Sequence, residues 1–171
     1  MKLSRNVSII LLILFNIAID QISKVIVRSN IKLRTDTDPG EKINIIGENF
    51  ILTNVYNKGA FLGMGSEMSD SLRVIFLLIL PTIVLSYLIY YIITNKTLDK
   101  LSTVALSCIA GGGIANVFDR IVFGQVTDFF FIDLGGIFKT GIFNLADMSV
   151  TFGMIILVYT WFLSSQKKTN S

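Results

Sequence analysis

The sequence predicts an all-α membrane protein, four transmembrane helices carrying a small β-rich extracytoplasmic cap. Two observations carry that prediction. Of 171 residues, 52% are hydrophobic and 16% charged, and the mean hydropathy of +0.67 lies outside the range of soluble globular chains. The apolar residues also gather into four runs, at about 7–28, 72–94, 101–118 and 145–163. Runs of about 18–23 residues span roughly 27–35 Å as helix, which matches a hydrocarbon core of about 30 Å. The whole chain, 1–171, then forms a single membrane domain, with its cap at about 29–70.

The first run follows Lys2 and Arg5 and resembles a signal peptide at its start. It lacks a small-x-small cleavage site, and its helix continues through Asp20, Gln21 and Lys24. Asn16, Asp20 and Lys24 are spaced by four and form one polar stripe, which should face the protein interior or a wet cavity. The structural alternative is that Asp20 and Lys24 neutralise each other and hold helices together. Between about 29 and 70 the charge is mixed, and turn signals stand at Asp38-Pro39-Gly40 and Gly47-Glu48-Asn49. Two β-like runs, 42–46 and 50–56, lie around the second turn. The Gly-rich segment 57–65 that follows is either a membrane-dipping flap or a buried turn.

The second run contains Pro81, which should kink it, and Arg73, which can snorkel outward. The third contains Gly111-Gly112-Gly113, which permits close helix packing or close approach of a ligand. Four spans put both termini on one side. Lys2, Arg5, Lys96, Lys100, Lys167 and Lys168 then favour a cytoplasmic location for the termini and the central hairpin. The first loop also carries several Lys and Arg, so the count alone is not decisive.

Histidine is absent, which removes Ser-His-Asp and Cys-His catalysis and zincin-type sites. The one cysteine, Cys108, sits in an apolar run and reads as a small buried residue. No metal or cofactor is expected. The scattered basic residues argue against a nucleic-acid partner. Any acid–base chemistry must come from Asp, Glu, Lys, Tyr or a bound metal.

The segment from Gly111 to Asp147 concentrates four carboxylates, Asp119, Asp128, Asp133 and Asp147. Two of them close the same Asn-x-x-Asp pattern, Asn116/Asp119 and Asn144/Asp147. Each has a structural reading. Asp119 can pair with Arg120, Asn144 can cap the fourth helix with Asp147 in its first turn, and Asp128 and Asp133 can be turn residues. Asp133 is the most turn-like. Together, however, acids at the ends of membrane spans ask for a function. Two neighbouring carboxylates share a proton, so that one acts as base on water while the other polarises a carbonyl. Spacing leaves open which two meet, although the repeated pattern favours one from each copy, Asp119 and Asp147.

Five short motifs, in order, resemble those of lipoprotein signal peptidase, the bacterial membrane aspartyl protease family also called signal peptidase II. They are Asp20-Gln21-Ile22-Ser23-Lys24, Asn57-Lys58-Gly59-Ala60, Gly112-Gly113 running to Asn116-Val117-Phe118-Asp119-Arg120, Val126-Thr127-Asp128-Phe129, and Phe143-Asn144-Leu145-Ala146-Asp147. The resemblance covers nearly the whole chain. It implies that Asp128 and Asp147 form the catalytic dyad, with Asp119 in support beside Arg120. Asn57 and Arg120 would hold the substrate backbone, Asn116 and Asn144 would orient the aspartates, and Asp20, with Lys24 and Gly59, would complete the site. It further implies an intramembrane endopeptidase that cleaves prolipoproteins before a diacylglyceryl-modified cysteine and is inhibited by globomycin-type cyclic peptides. Such a protein would be a monomer in the bacterial inner membrane, working among lipids with its active site near the outer face. Two departures stand out. Ala115 takes a place where many members have Gly, and Phe61-Leu62-Gly63 replaces the usual continuation of the cap loop. Outside this family, the residues would suit a proton-conducting protein using Asp20, Asp119 and Asp147, or an assembly subunit in which the acids glue helices.

Overall fold

The computed structural model describes residues 4–60, 65 and 68–169. Phe61-Leu62-Gly63 and Met64 of the Gly-rich cap loop lie outside them. Among the described residues, four helices are long and apolar enough to cross a membrane: α1 (Arg5–Asn30), α2 (Asp70–Thr94), α3 (Lys100–Phe123) and α4 (Leu145–Thr169). Between α1 and α2 lie β1 (Lys42–Ile46) and β2 (Phe50–Asn57), and between α3 and α4 lies β3 (Val126–Ile132). The strands form one antiparallel sheet in the order β1-β2-β3. This is the expected class of fold, with one correction. The third strand comes from outside 29–70, so the cap is assembled from two loops rather than one.

The bundle is apolar outward, and inward it sets small and polar residues beside a few branched ones, Ile9, Ile13 and Ile92. Large residues such as Phe15, Ile83, Tyr87, Phe152 and Trp161 are more than half exposed. The buried face of α3 is instead built from Ala105, Ser107, Cys108, Ala110, Gly111, Gly112 and Ala115. Those small side chains let α3 pack against all three other helices. A Cβ on Gly111 would meet Ile13 and Asn16 of α1, one on Gly112 would meet Ala146 and Val150 of α4, and one on Gly113 would meet Leu85 of α2. The triple glycine is thus the point where the bundle closes.

Helix ends follow local chemistry. Asp99 caps α3, accepting from Ser102 N at 2.9 Å, and Gly124 ends it in the left-handed conformation at φ 69°. That stop extends α3 past the expected end near 118. Within α2, Val74–Ile79 winds as a π-helix, and Leu80 N–H donates to Ile75 O. Pro81 follows directly and has no N–H for the ladder, so the expected disturbance takes the form of a widened turn. Arg73 is tied to Asp70 at 2.7 Å and to Met68 O. At the far end of the bundle from the sheet, Arg5 Nη2 donates to Ile92 O and Asn95 O, both at 2.9 Å. This closes the C-terminal end of α2 with a cation.

Candidate functional site

Register places the first acid. Asn57 of β2 pairs with Val126 of β3, and Val55 with Asp128. Side chains alternate along a strand, so Val126 and Asp128 share a face, with Asn57 diagonal to Asp128. Asn57 Nδ2 donates to Asp128 Oδ2 at 2.8 Å. The other face of β3 sends Phe129 into a core with Val27 and Ile31. Asp128 is therefore a strand residue and not the turn residue it resembled. It is 2% exposed.

A helix start places the second acid. Asn144 Oδ1 accepts from Asp147 N at 2.9 Å, and Asp147 Oδ2 accepts from Asn144 N at 3.2 Å. This is a reciprocal capping box, with Asp147 in the first turn where the helix dipole favours a negative group. Asn144 Nδ2 also donates to Asp128 Oδ1 at 2.6 Å, so one asparagine touches both acids. Burial first, and then the nearby charge of Asp147, push the Asp128 carboxyl up to about 7 against the opposing hydrogen bonds of Asn57 and Asn144.

The third acid goes elsewhere. Asp119 is fully buried and pairs with Lys24 at 3.0 Å, not with Arg120. Adjacent residues on a helix point about 100° apart, so Asp119 faces α1 while Arg120 faces the cap. Gln21 Nε2 donates to Asp119 Oδ1 at 2.9 Å, and Thr127 N to its Oδ2 at 3.3 Å. Asp20 likewise pairs with Lys24, at 2.7 Å, and accepts from Ala146 N at 2.8 Å. The polar stripe of α1 thus faces inward and grips both α3 and the first turn of α4. Asn16 joins this contact through Ser149 Oγ at 2.6 Å.

Lys24 links the two groups of acids. Its ammonium, with three donors and no acceptor, meets Asp20, Asp119 and Asn116 Oδ1, the last at 2.9 Å. Asn116 must turn its oxygen to Lys24, and its Nδ2 then donates to Asp147 Oδ1 at 2.9 Å. Asn144 Nδ2 shares the Asn116 oxygen at 3.2 Å. A single buried cation therefore fixes the polarity of Asn116 and Asn144, two of the three amides that donate to Asp128 and Asp147, the third being Asn57.

Asn57, Asn116, Arg120, Asp128 and Asp147 line one cavity of about 460 Å³, walled by Phe76, Leu80, Pro81 and Leu85 of α2. Arg120 Nη2 donates to Gly59 O at 2.8 Å, and Gly59 N donates to Asn57 Oδ1 at 2.8 Å, which ties the cap loop to the cavity rim. Arg120 Nε is a buried donor with no acceptor among the described residues. Asp133 lies apart, in a turn bonded to Gly136 N. Among the described residues no cluster suited to a metal is found. Sequence reasoning missed three contributors. The α2 wall carries no signal in a uniformly apolar run. Gln21 was visible only as part of a motif. Arg28, which donates to Thr127 Oγ1 at 3.0 Å and lies 4.4 Å from the Phe123 ring centroid, steadies β3 without any pattern to announce it.

Fold and site together define a four-span membrane protein with a carboxylate-lined cavity where the bundle meets its cap. A family model described as Signal peptidase (SPase) II matches residues 12–163. A lipoprotein signal peptidase of Moorella thermoacetica is 35% identical over 150 residues, covering 88% of this chain and 89% of that one. Another, of Borrelia duttonii, is 33% identical over 176 residues and covers 99% of each chain. The fold is similar to a solved bacterial membrane enzyme with a TM-score of 0.80 and 28% identity, covering 94% of this chain and 91% of that one. The chain belongs to the signal peptidase II family, and is a bacterial membrane protein.

Proposed function

We propose that this protein is an aspartic endopeptidase that removes the signal peptide from prolipoproteins, cutting before a diacylglyceryl-modified cysteine. The observation that carries the reading is the pairing of Asp128 and Asp147 on one cavity wall, bridged by Asn144. With the Asp128 carboxyl raised to about 7, the pair still holds a proton in about half of the molecules at neutral pH. The ionised member takes a proton from water, and the protonated member gives its proton to the scissile carbonyl oxygen as water adds. Collapse of the tetrahedral adduct breaks the C–N bond, the amine leaves with a proton from the pair, and a hydroxyl of the adduct returns one to the pair as the new carboxyl forms. The two acids act as a unit, so neither is assigned a fixed role.

Asn57 and Arg120, at the cavity rim, hold the substrate backbone. The apolar α2 wall receives the substrate from the lipid side, with its acyl chains left in the bilayer. The chain works as a single membrane domain and a monomer in the inner membrane, with its termini cytoplasmic and the dyad near the outer face. Globomycin-type peptides compete for the cavity. A proton-relay role for Asp20 and Asp119 is disfavoured because Lys24 engages both.

The test uses purified protein in liposomes with a diacylglyceryl-modified prolipoprotein. Release of the signal peptide, with the new N-terminus at the modified cysteine, is expected. Proton flux without cleavage would overturn the reading.

A further inference from the structure

Beyond β3 the chain forms a second tight hairpin. Thr140 N donates to Ile132 O at 2.9 Å, Leu134 N to Phe138 O at 2.8 Å, and Lys139 pairs with Asp133 at 2.9 Å. The hairpin is well tied, yet its tip is apolar and bare. Leu134 is 52% exposed, Ile137 96% and Phe138 57%. No charge lies between Asp133 and Lys139, whereas the neighbouring β1–β2 turn carries Glu48. Ile46, 64% exposed, continues the patch and shares a shallow hollow with Leu134. An apolar patch of this kind outside the membrane helices marks an interaction surface.

Position identifies the partner. Phe138 and Lys139 line a hollow of about 520 Å³ together with Met148, Phe152 and Ile155 of α4. Those three residues are themselves about half exposed or more, on a membrane-crossing helix. The tip therefore stands beside the exposed apolar face of α4, across a hollow that Asp147 also lines, and is continuous with the surface that a membrane-crossing helix turns to lipid. We infer that the Leu134–Phe138 tip is a membrane anchor, inserted among the lipids of the sheet-side leaflet beside α4. Asp128 lies on the strand that leads into this tip, so the anchor fixes the height of β3 relative to the bilayer. Phe138 and Ile137 carry no polar group, so they suit the acyl region just beneath the headgroups.

A spin label reports the depth directly. Cys108 is the sole cysteine, so Ile137→Cys and, as a control, Glu48→Cys are each made with Cys108→Ala and labelled. Each is reconstituted in vesicles of phosphatidylethanolamine and phosphatidylglycerol. Label at 137 is expected to collide with dissolved oxygen more than with a water-soluble nickel chelate, and label at 48 to show the reverse. Preference for nickel at 137 would put the tip in water and overturn the anchor. Low collision with both reagents, or dipolar broadening between labels, would place it against protein and overturn it equally. A functional arm rests on the proposed peptidase reading. Ile137→Ser with Phe138→Ser should slow cleavage in vesicles while leaving the melting temperature in detergent unchanged. Because the label experiment needs no activity, failure of the anchor and failure of the peptidase reading are distinguishable.

Discussion

The two Asn-x-x-Asp copies share a pattern and end in opposite surroundings. In the first, Asn116 and Asp119 lie within α3, and Asp119 turns away from the cavity into Lys24 and Gln21. In the second, Asn144 precedes α4 and Asp147 opens it, so the capping box presents the carboxylate to the cavity. What separates them is their place on a helix. An acid inside a helix near its C-terminal end needs a cation, whereas an acid in a first turn is stabilised by the free N–H groups and the dipole. Asp147 can therefore be held by neutral donors, and its partner in the proposed dyad comes from neither copy but from β3.

Breaking the second copy should have the largest effect. Asp147→Asn is expected to lower kcat by about 10³-fold or more while the protein stays folded, at the upper part of the range for a lost acid–base group. Single-turnover cleavage with circular dichroism measures both. Removing the cation that holds the first copy should cost stability as well as rate. Lys24→Met leaves two buried carboxylates without their cation, and loss of one partner in such a cluster costs about 3–5 kcal/mol. The melting temperature checks this. If Lys24→Met melts with wild type, the proposed division fails.

A third change acts on the joint between the copies. Gly112→Ala would drive a methyl against the Ala146 carbonyl and Val150, moving the turn that carries Asp147. An overpacking cost of about 1–3 kcal/mol with a reduced kcat is expected. The same substitution at Gly124, where nothing lies within 4 Å, should strain only the local left-handed turn and spare kcat.

The pH dependence sharpens the comparison further. The folded protein keeps the Asp128 proton up to about 7, while an unfolded chain releases it near 3.8. The contribution to stability is full below about 4 and is lost as pH rises through about 7. Cleavage should fall over the same upper limb as the shared proton is lost, and a pH–rate profile flat from 6 to 9 would argue against the dyad. The smallest effect belongs to the cap surface. Lys32→Ala removes an exposed pair with Asp38, which should lower neither the melting temperature nor the rate measurably.

Legibility in the sequence followed how local each signal was. The four helices were readable because each is a long apolar run, and the cap of Asn144 because it sits just before one. The β1–β2 hairpin was readable from alternation and its turn. Strand β3 was not, because Val126, Thr127, Asp128 and Phe129 are all buried, so no alternation in polarity marks it, and its partner strand lies far back in the chain. The Asp119–Lys24 pair was hidden for a similar reason. Arg120 is adjacent in sequence, but only the packing of α1 on α3 brings Lys24 to Asp119. The family motifs pointed to Asp128, while the residues read alone favoured Asp119.

The contrast between Asp128 and Asp119 is the most direct test. Asp128→Asn and Asp119→Asn would be measured side by side in the same lipid, with the rate expressed per folded molecule after thermal titration. The account predicts that Asp128→Asn abolishes cleavage with a melting temperature near wild type, and that Asp119→Asn lowers the melting temperature while folded molecules still cut. Cleavage retained by Asp128→Asn, with activity lost in fully folded Asp119→Asn, would contradict it.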